Sequence, residues 1–299
     1  MKIGLALGSG SARGFSHIGI IETLLEHDIK PDVVAGTSIG AIVGAAYASG
    51  NLHRIKKEAL AINRLNWTAF FNPSFSIDGW INLKHMQMFL LKSGIMRKKN
   101  IEDMQIPFGT VTCDLSTGKE KWITHGPVFD SVWPSMAMPG VFPPVPSEDH
   151  HSWYIDGGIV NPVPVSLCRA LGADVVIAVN LNNDLLRGEE HSLSPHKKEG
   201  EFSKLVNKAK SLLPIKKAET PPPHNGAPDF FETVARSINI AQDRITRSRL
   251  AGDPPEVILA PKVSDIGMLE TYKAEEAIEA GRKCCKANLD FILDTIGRR

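Results

Sequence analysis

The chain has 299 residues, 42% of them hydrophobic, which suits one large α/β domain or two small ones with a sizeable core. Its net charge of +1 at pH 7 gives no global field toward nucleic acid or acidic membranes, so a membrane attraction has to come from a local segment. No apolar stretch approaches the length that spans a bilayer, and residues 1–7 run straight into a glycine loop rather than a signal cleavage site.

Ile3–Leu7 reads as a strand, followed by the loop Gly8-Ser9-Gly10-Ser11-Ala12-Arg13-Gly14 and a helix over 15–27 with Ile18, Ile21, Leu24 and Leu25 on one face. A short buried strand at 31–35 leads into Gly36-Thr37-Ser38-Ile39-Gly40 and a small-residue helix beginning at Ile39. Helices are expected over 52–64 and 82–91, and strands at Phe108–Asp114 and 120–124. The proline-rich stretch 133–146 reads as an ordered loop or a broken helix. Strands at Trp153–Asp156, 175–180 and 257–260 and a terminal helix over 272–296 complete the pattern. Strand–helix alternation of this kind predicts a mainly parallel sheet covered by helices. Between 182 and 227 Lys, Glu, Ser, His and Pro crowd together; this predicts a mobile insertion within a single domain, with order returning at Asp229, which can cap a helix with Glu232. The four cysteines lack metal-ligand spacing, and Cys284 and Cys285 are adjacent, so reduced thiols in a cytoplasmic protein are expected.

The chemistry-bearing pattern is the serine flanked by Gly36 and Gly40. A strand turning sharply into a helix holds the turn residue in a strained conformation, and glycines two positions away remove the clashes that would forbid it. Ser38 then projects at a helix N-terminus, a nucleophile elbow. Such a serine needs oxyanion donors, and the small residues of loop 8–14 let backbone N–H groups converge there. The loop has Arg13 where a dinucleotide fingerprint needs glycine. None of the histidines downstream of Ser38 lies in a triad context, and His17 reads as a packing or local hydrogen-bonding residue. Asp156, at a strand end and followed by Gly157 and Gly158, is a better candidate base; the competing reading is an ordinary Asp-Gly turn.

Taken in order, loop 8–14, elbow 36–40, Cys113-Asp114-Leu115-Ser116-Thr117-Gly118, Met138-Pro139-Gly140-Val141-Phe142-Pro143-Pro144-Val145, Asp156-Gly157-Gly158 and Asn161-Pro162-Val163-Pro164 resemble the patatin-like phospholipase family, most specifically its small bacterial members. The resemblance covers residues 1–180 and weakens beyond. It implies a three-layer α/β/α sandwich that hydrolyses fatty-acyl esters of phospholipids or lysophospholipids through a Ser–Asp dyad, without metal or cofactor. Carried onto this chain, Ser38 is the nucleophile and Asp156 the base. Ser9, Gly10 and Ser11 form the oxyanion loop, and Arg13 holds its basic position, bracing the loop, meeting a lipid phosphate or making a plain salt bridge. The family usually has glycine where Ser9 and Ser11 stand. Two alternatives remain open: a Ser-His-Asp esterase or thioesterase on soluble esters, and a regulatory protein of this fold with little turnover.

Within the insertion, Phe202, Leu205, Val206, Ala209, Leu212 and Leu213 fall at helical spacing, and seven lysines against Glu199 and Glu201 give 197–217 a local net of +5. A basic amphipathic helix of this kind can lie in an anionic bilayer interface, which would make the protein peripheral to the inner face of the membrane. A helix packed on the core or a charged loop accounts for the same pattern.

Overall fold

The computed structural model describes residues 1–76, 79–95, 99–183 and 230–298. Strand β1 (Ile3–Leu7) leads through a 3-10 turn at Ser11–Phe15 into α1 (Ser16–Glu26), and β2 (Val33–Thr37) leads into α2 (Ile39–Ala48). Helix α3 (Leu52–Leu60), an antiparallel pair β3 (Phe71–Ser76) and β4 (Gly79–Ile81), and α4 (Leu83–Lys92) follow. Next come β5 (Phe108–Asp114), β6 (Glu120–Ile123), α5 (Val128–Ser135), β7 (Val145–Pro146), β8 (Trp153–Asp156) and α6 (Val165–Ala170). The chain closes with β9 (Val175–Val179), α7 (Phe230–Gly252), β10 (Val257–Leu259), α8 (Ala274–Ala287) and α9 (Leu289–Thr295).

The main sheet has the order β10-β9-β1-β2-β5-β8-β7, with β6 also on β5. Neighbours from β10 to β5 are parallel, while β6, β7 and β8 pair antiparallel. Side chains alternate across the sheet with period two. Leu5, Leu7, Ile177 and Val179 face one core with α1, α2 and α8, whereas Ala6, Val176 and Ala178 face a second with α6. The three-layer α/β/α arrangement with a mainly parallel centre is therefore present. Helix α2 is buried at every position, which explains a composition of Ala, Gly, Ile and Val without a polar face.

Four local readings change. The helix expected over 52–64 ends at Leu60, because Asn63 and Asn66 turn their side chains onto nearby backbone: Asn63 Oδ1 accepts from Leu65 N at 2.9 Å and Asn66 Oδ1 from Asn63 N at 2.8 Å. The stretch 133–146 begins inside α5, which keeps Pro134 in its last turn, where one missing N–H costs a single helical bond. The terminal helix is two helices broken at Asn288, whose side chain caps the Cys284 carbonyl at 2.8 Å. Asn182, the first residue of the segment set apart by composition, is buried and bonded to the core. The amphipathic pattern at 197–217 and the cap at Asp229 lie outside the described residues. Among the described residues no helix is long and apolar enough to cross a membrane.

Candidate active site

The site is assembled by β5. Thr110 pairs with Gly36 of β2 and with Ile123 of β6, so those two strands lie on opposite edges of β5. Thr112 pairs with Asp156 of β8 and with Lys121 of β6, which puts β8 on the same edge as β2. Strand β2 ends with Thr37 opposite Val111, and β8 ends with Asp156 opposite Thr112, the next residue. Two strands of opposite direction thus meet end to end, and the residue after Thr37 is Ser38.

Ser38 sits between β2 and α2 with φ 57° and ψ −122°, in the left-handed half of backbone space that costs a non-glycine residue about 1–3 kcal/mol. The flanking glycines permit that turn: a Cβ on Gly40 would overlap the Leu7 carbonyl, and one on Gly36 the Gly40 carbonyl. The Ser38 carbonyl accepts from Ala41 N and Ile42 N, and its N–H and Oγ are held as well. Its N–H donates to Ser135 Oγ at 3.0 Å, and its Oγ donates to Asp156 Oδ2 at 2.6 Å. Both Ser38 and Asp156 are buried.

The second carboxylate oxygen, Asp156 Oδ1, accepts from Gly158 N at 2.7 Å, and Asp156 N donates to the Ala137 carbonyl at 2.9 Å. Burial pushes the Asp156 carboxyl up to about 6, against the lowering effect of the Ser38 and Gly158 hydrogen bonds. A carboxyl of this strength is ionised at neutral pH yet holds a proton better than an exposed aspartate does. The loop after it is braced from both sides. Thr37 Oγ1 donates to the Asn161 carbonyl at 2.9 Å, while Asn161 Nδ2 donates to Glu120 Oε1 at 2.7 Å and Arg249 Nε to the Val160 carbonyl at 2.8 Å. Arg249 also pairs with Glu120.

Loop 8–14 runs alongside. Gly8 N donates to the Val179 carbonyl at 3.1 Å and Ser9 N to the Pro162 carbonyl at 2.8 Å, tying it to β9 and to the Asp156 loop. Ser11 adopts φ 52°, the conformation for which glycine is better suited. The N–H groups of Gly10 and Ser11 have no acceptor among the described residues. Arg13 lies buried beneath the loop: its Nε donates to the Gly10 carbonyl at 3.1 Å and Nη2 to Asn239 Oδ1 at 3.2 Å. These two bonds are of the kind that braces the loop. His17 Nε2 bonds the Gly8 carbonyl at 2.8 Å, and burial draws this imidazole down to about 4, with the Gly8 bond opposing. His17 is therefore neutral and part of the loop's support. The other described histidines are exposed.

Beside Ser38 and Ser11 opens an apolar cavity of about 90 Å³, walled by side chains such as Phe15, Ile42, Phe70, Phe89, Met138 and Leu269. The structure brings Ser38, Asp156, Gly36, Gly40, Gly157, Gly158 and loop 8–14 into one corner. Ser135, the partner of the elbow N–H, escaped the sequence reading. Its only signal was a pair of small polar residues, Ser131 and Ser135, one turn apart in an otherwise apolar helix.

A family model described as Patatin-like phospholipase matches residues 5–169, more than half of the chain, and the chain belongs to that family. Membership supports lipid acyl hydrolase activity. Over 326 aligned residues the chain is 28% identical to an uncharacterized NTE family protein of Mycobacterium tuberculosis (strain ATCC 25618 / H37Rv), covering 94% of this chain and 89% of that one. It is 29% identical to Lysophospholipase NTE1 of Pyricularia oryzae over 94% of this chain but only 18% of that protein. It is 30% identical to human patatin-like phospholipase domain-containing protein 6 over 60% of this chain and 13% of that protein.

Proposed function

We propose that this chain hydrolyses fatty-acyl esters of phospholipids or lysophospholipids, with Ser38 as nucleophile and Asp156 as general base. The observation that carries the reading is the 2.6 Å hydrogen bond from Ser38 Oγ to a buried carboxylate with no intervening imidazole. Ser38 Oγ attacks the ester carbonyl carbon as its proton passes to Asp156 Oδ2. The oxyanion so formed is stabilised by the N–H groups of Gly10 and Ser11, which are not otherwise engaged among the described residues. Collapse breaks the ester C–O bond, and the leaving alkoxide takes the proton from Asp156. Water then attacks the acyl-Ser38 ester, giving its proton to Asp156, and Ser38 Oγ recovers that proton as the fatty acid departs.

The cavity beside Ser38 supports an acyl chain as the group bound, because apart from Ser11, Ser38 and Thr271 its walls are apolar. Residues 1–299 then act as one hydrolase domain, needing no metal or cofactor, and the basic pattern at 197–217 is the segment proposed to touch anionic lipid. Labelling with a fluorophosphonate followed by peptide mass spectrometry tests the assignment. Modification should fall on Ser38, and esters of increasing chain length should be turned over progressively better, most of all when presented at an interface. Labelling elsewhere, or a preference for short soluble esters, would overturn it.

A further inference from the structure

Helix α7 lies outside the matched family region, yet its buried Gln242 reaches the oxyanion loop. Gln242 Oε1 accepts from Ser9 Oγ at 3.1 Å and from Asn182 Nδ2 at 3.1 Å, and Asn182 N donates to Asn180 Oδ1 at 3.0 Å just past β9. Its amide nitrogen lies against the loop that carries Asp156. A Cβ placed on Gly158 would fall 2.5 Å from Gln242 Nε2, 2.9 Å from Asp156 Oδ1 and 3.2 Å from Ser9 Cβ. One side chain therefore abuts both the oxyanion loop and the residue whose N–H holds the base. One turn earlier on the same helix, Asn239 takes the Arg13 guanidinium, which in turn grips the Gly10 carbonyl.

We infer that Gln242 is a positioning residue: it sets the spacing between the oxyanion loop at Ser9 and the Asp156–Gly158 loop, so that the donors of Gly10 and Ser11 meet the carbonyl that Ser38 attacks. The inference rests on the Ser38–Asp156 reading. The two loops lie nearly half the chain apart and are joined directly by the Ser9 N–Pro162 bond. A buried strut adds a second tie, and the spacing matters because a displacement of about 1 Å between reacting groups can cost a hundredfold in rate. A buried amide suits the task. Its oxygen takes two donors at once, and its nitrogen fills the space that the absent Gly158 side chain leaves open. The extra polar bonds also fix its rotamer, which an apolar side chain of the same size would not do.

The test uses the full chain with Gln242→Met, Ser9→Ala and the double variant, assayed on a short soluble ester. The rate of Ser38 labelling by a fluorophosphonate and the thermal midpoint are measured alongside. Gln242→Met should lower kcat and the labelling rate about tenfold to a hundredfold, with KM within twofold. Ser9→Ala should lose part of the same factor, and the double variant should be no worse than Gln242→Met alone, since both remove one linkage. A Gln242→Met protein that keeps wild-type kcat, or losses from the two sites that simply multiply, would overturn the inference. Should Gln242→Met fail to fold, Gln242→Asn keeps an amide in the interior but falls one methylene short of Ser9, and the same kcat loss at constant KM is expected; unchanged kcat there overturns the inference equally. Asp156→Asn run in parallel separates the two levels. Its inactivity beside an unaffected Gln242 variant sinks the positioning role alone, whereas its continued turnover sinks the underlying dyad.

Discussion

Val111 and Thr112 are consecutive residues of β5, and on one edge of that strand the first pairs with Thr37 and the second with Asp156. The relationship explains how a serine and an aspartate 118 positions apart reach hydrogen-bonding distance without help from a mobile loop. Each lies at the end of a strand whose register is set by β5, so their separation is a property of the sheet. Thr37 reinforces it through its bond to the Asn161 carbonyl.

The first consequence is a pH dependence. Asp156 must be ionised to act as base, and its carboxyl is raised from 3.8 to about 6. A profile of kcat/KM should therefore fall about tenfold per pH unit below about pH 6. The stability effect has the opposite sign. A carboxyl raised in the folded state favours folding while it is protonated; that contribution is full below 3.8 and disappears as pH rises through about 6. Activity should rise across this window while the Asp156 contribution to stability falls. An acid limb near the ordinary carboxylate value would show that the base is an exposed group.

Histidines should be dispensable for the chemistry. Replacing the exposed ones, such as His53, His85, His125, His150 and His151, by alanine should leave kcat within tenfold, or about 1.4 kcal/mol in barrier. His17→Ala should instead lower stability by about 1–3 kcal/mol, because the buried Gly8 carbonyl loses its donor. Denaturant unfolding separates that outcome from a catalytic one. A thousandfold loss at an exposed histidine with the fold intact would favour a triad.

Gly10→Val tests the oxyanion loop. A Cβ at this position would lie 2.7 Å from Leu181 Cδ1 and 2.9 Å from Leu181 Cβ, so the backbone must shift by several tenths of an ångström. Turnover of a soluble ester should fall on the order of a hundredfold, the loss typical of one misplaced donor. Near-normal turnover would place the donors elsewhere.

Ser135→Ala removes the acceptor of the Ser38 N–H inside the protein. The buried donor left behind should destabilise the fold by about 1–3 kcal/mol, measurable as a lowered urea midpoint at unchanged slope. An unaltered midpoint would mean that the elbow does not depend on this bond.

The elbow and the strands around it were legible because their signals are local. Ser38 is flanked by glycines within five residues, and the β-branched run of β9 announces a strand buried on both faces. Asp156 was legible for the same reason, as an acid at a strand end before two glycines. The supports were not. Ser135 meets Ser38 across 97 residues and Gln242 meets Ser9 across 233, and both contacts depend on how α5 and α7 seat on the sheet. Arg13 shows the difference sharply: its place in the loop suggested a ligand for phosphate, a brace or a plain salt bridge, and its bonds to Gly10 and Asn239 appear only in the packing. Boundaries failed where side chains compete for backbone groups, as at Asn63, Asn66 and Asn288.

The dyad itself is tested most directly by turnover of Asp156→Asn on a soluble ester at pH 8, where the wild-type carboxyl is ionised. The amide can still accept a bond from Ser38 Oγ but cannot take its proton, so turnover should fall about a thousandfold or more with the thermal midpoint little changed. Ser38→Ala should fall as far, and combining the two should lose nothing further, because they act as one unit. Turnover by Asp156→Asn within about tenfold of wild type would contradict the assignment of Asp156 as the base.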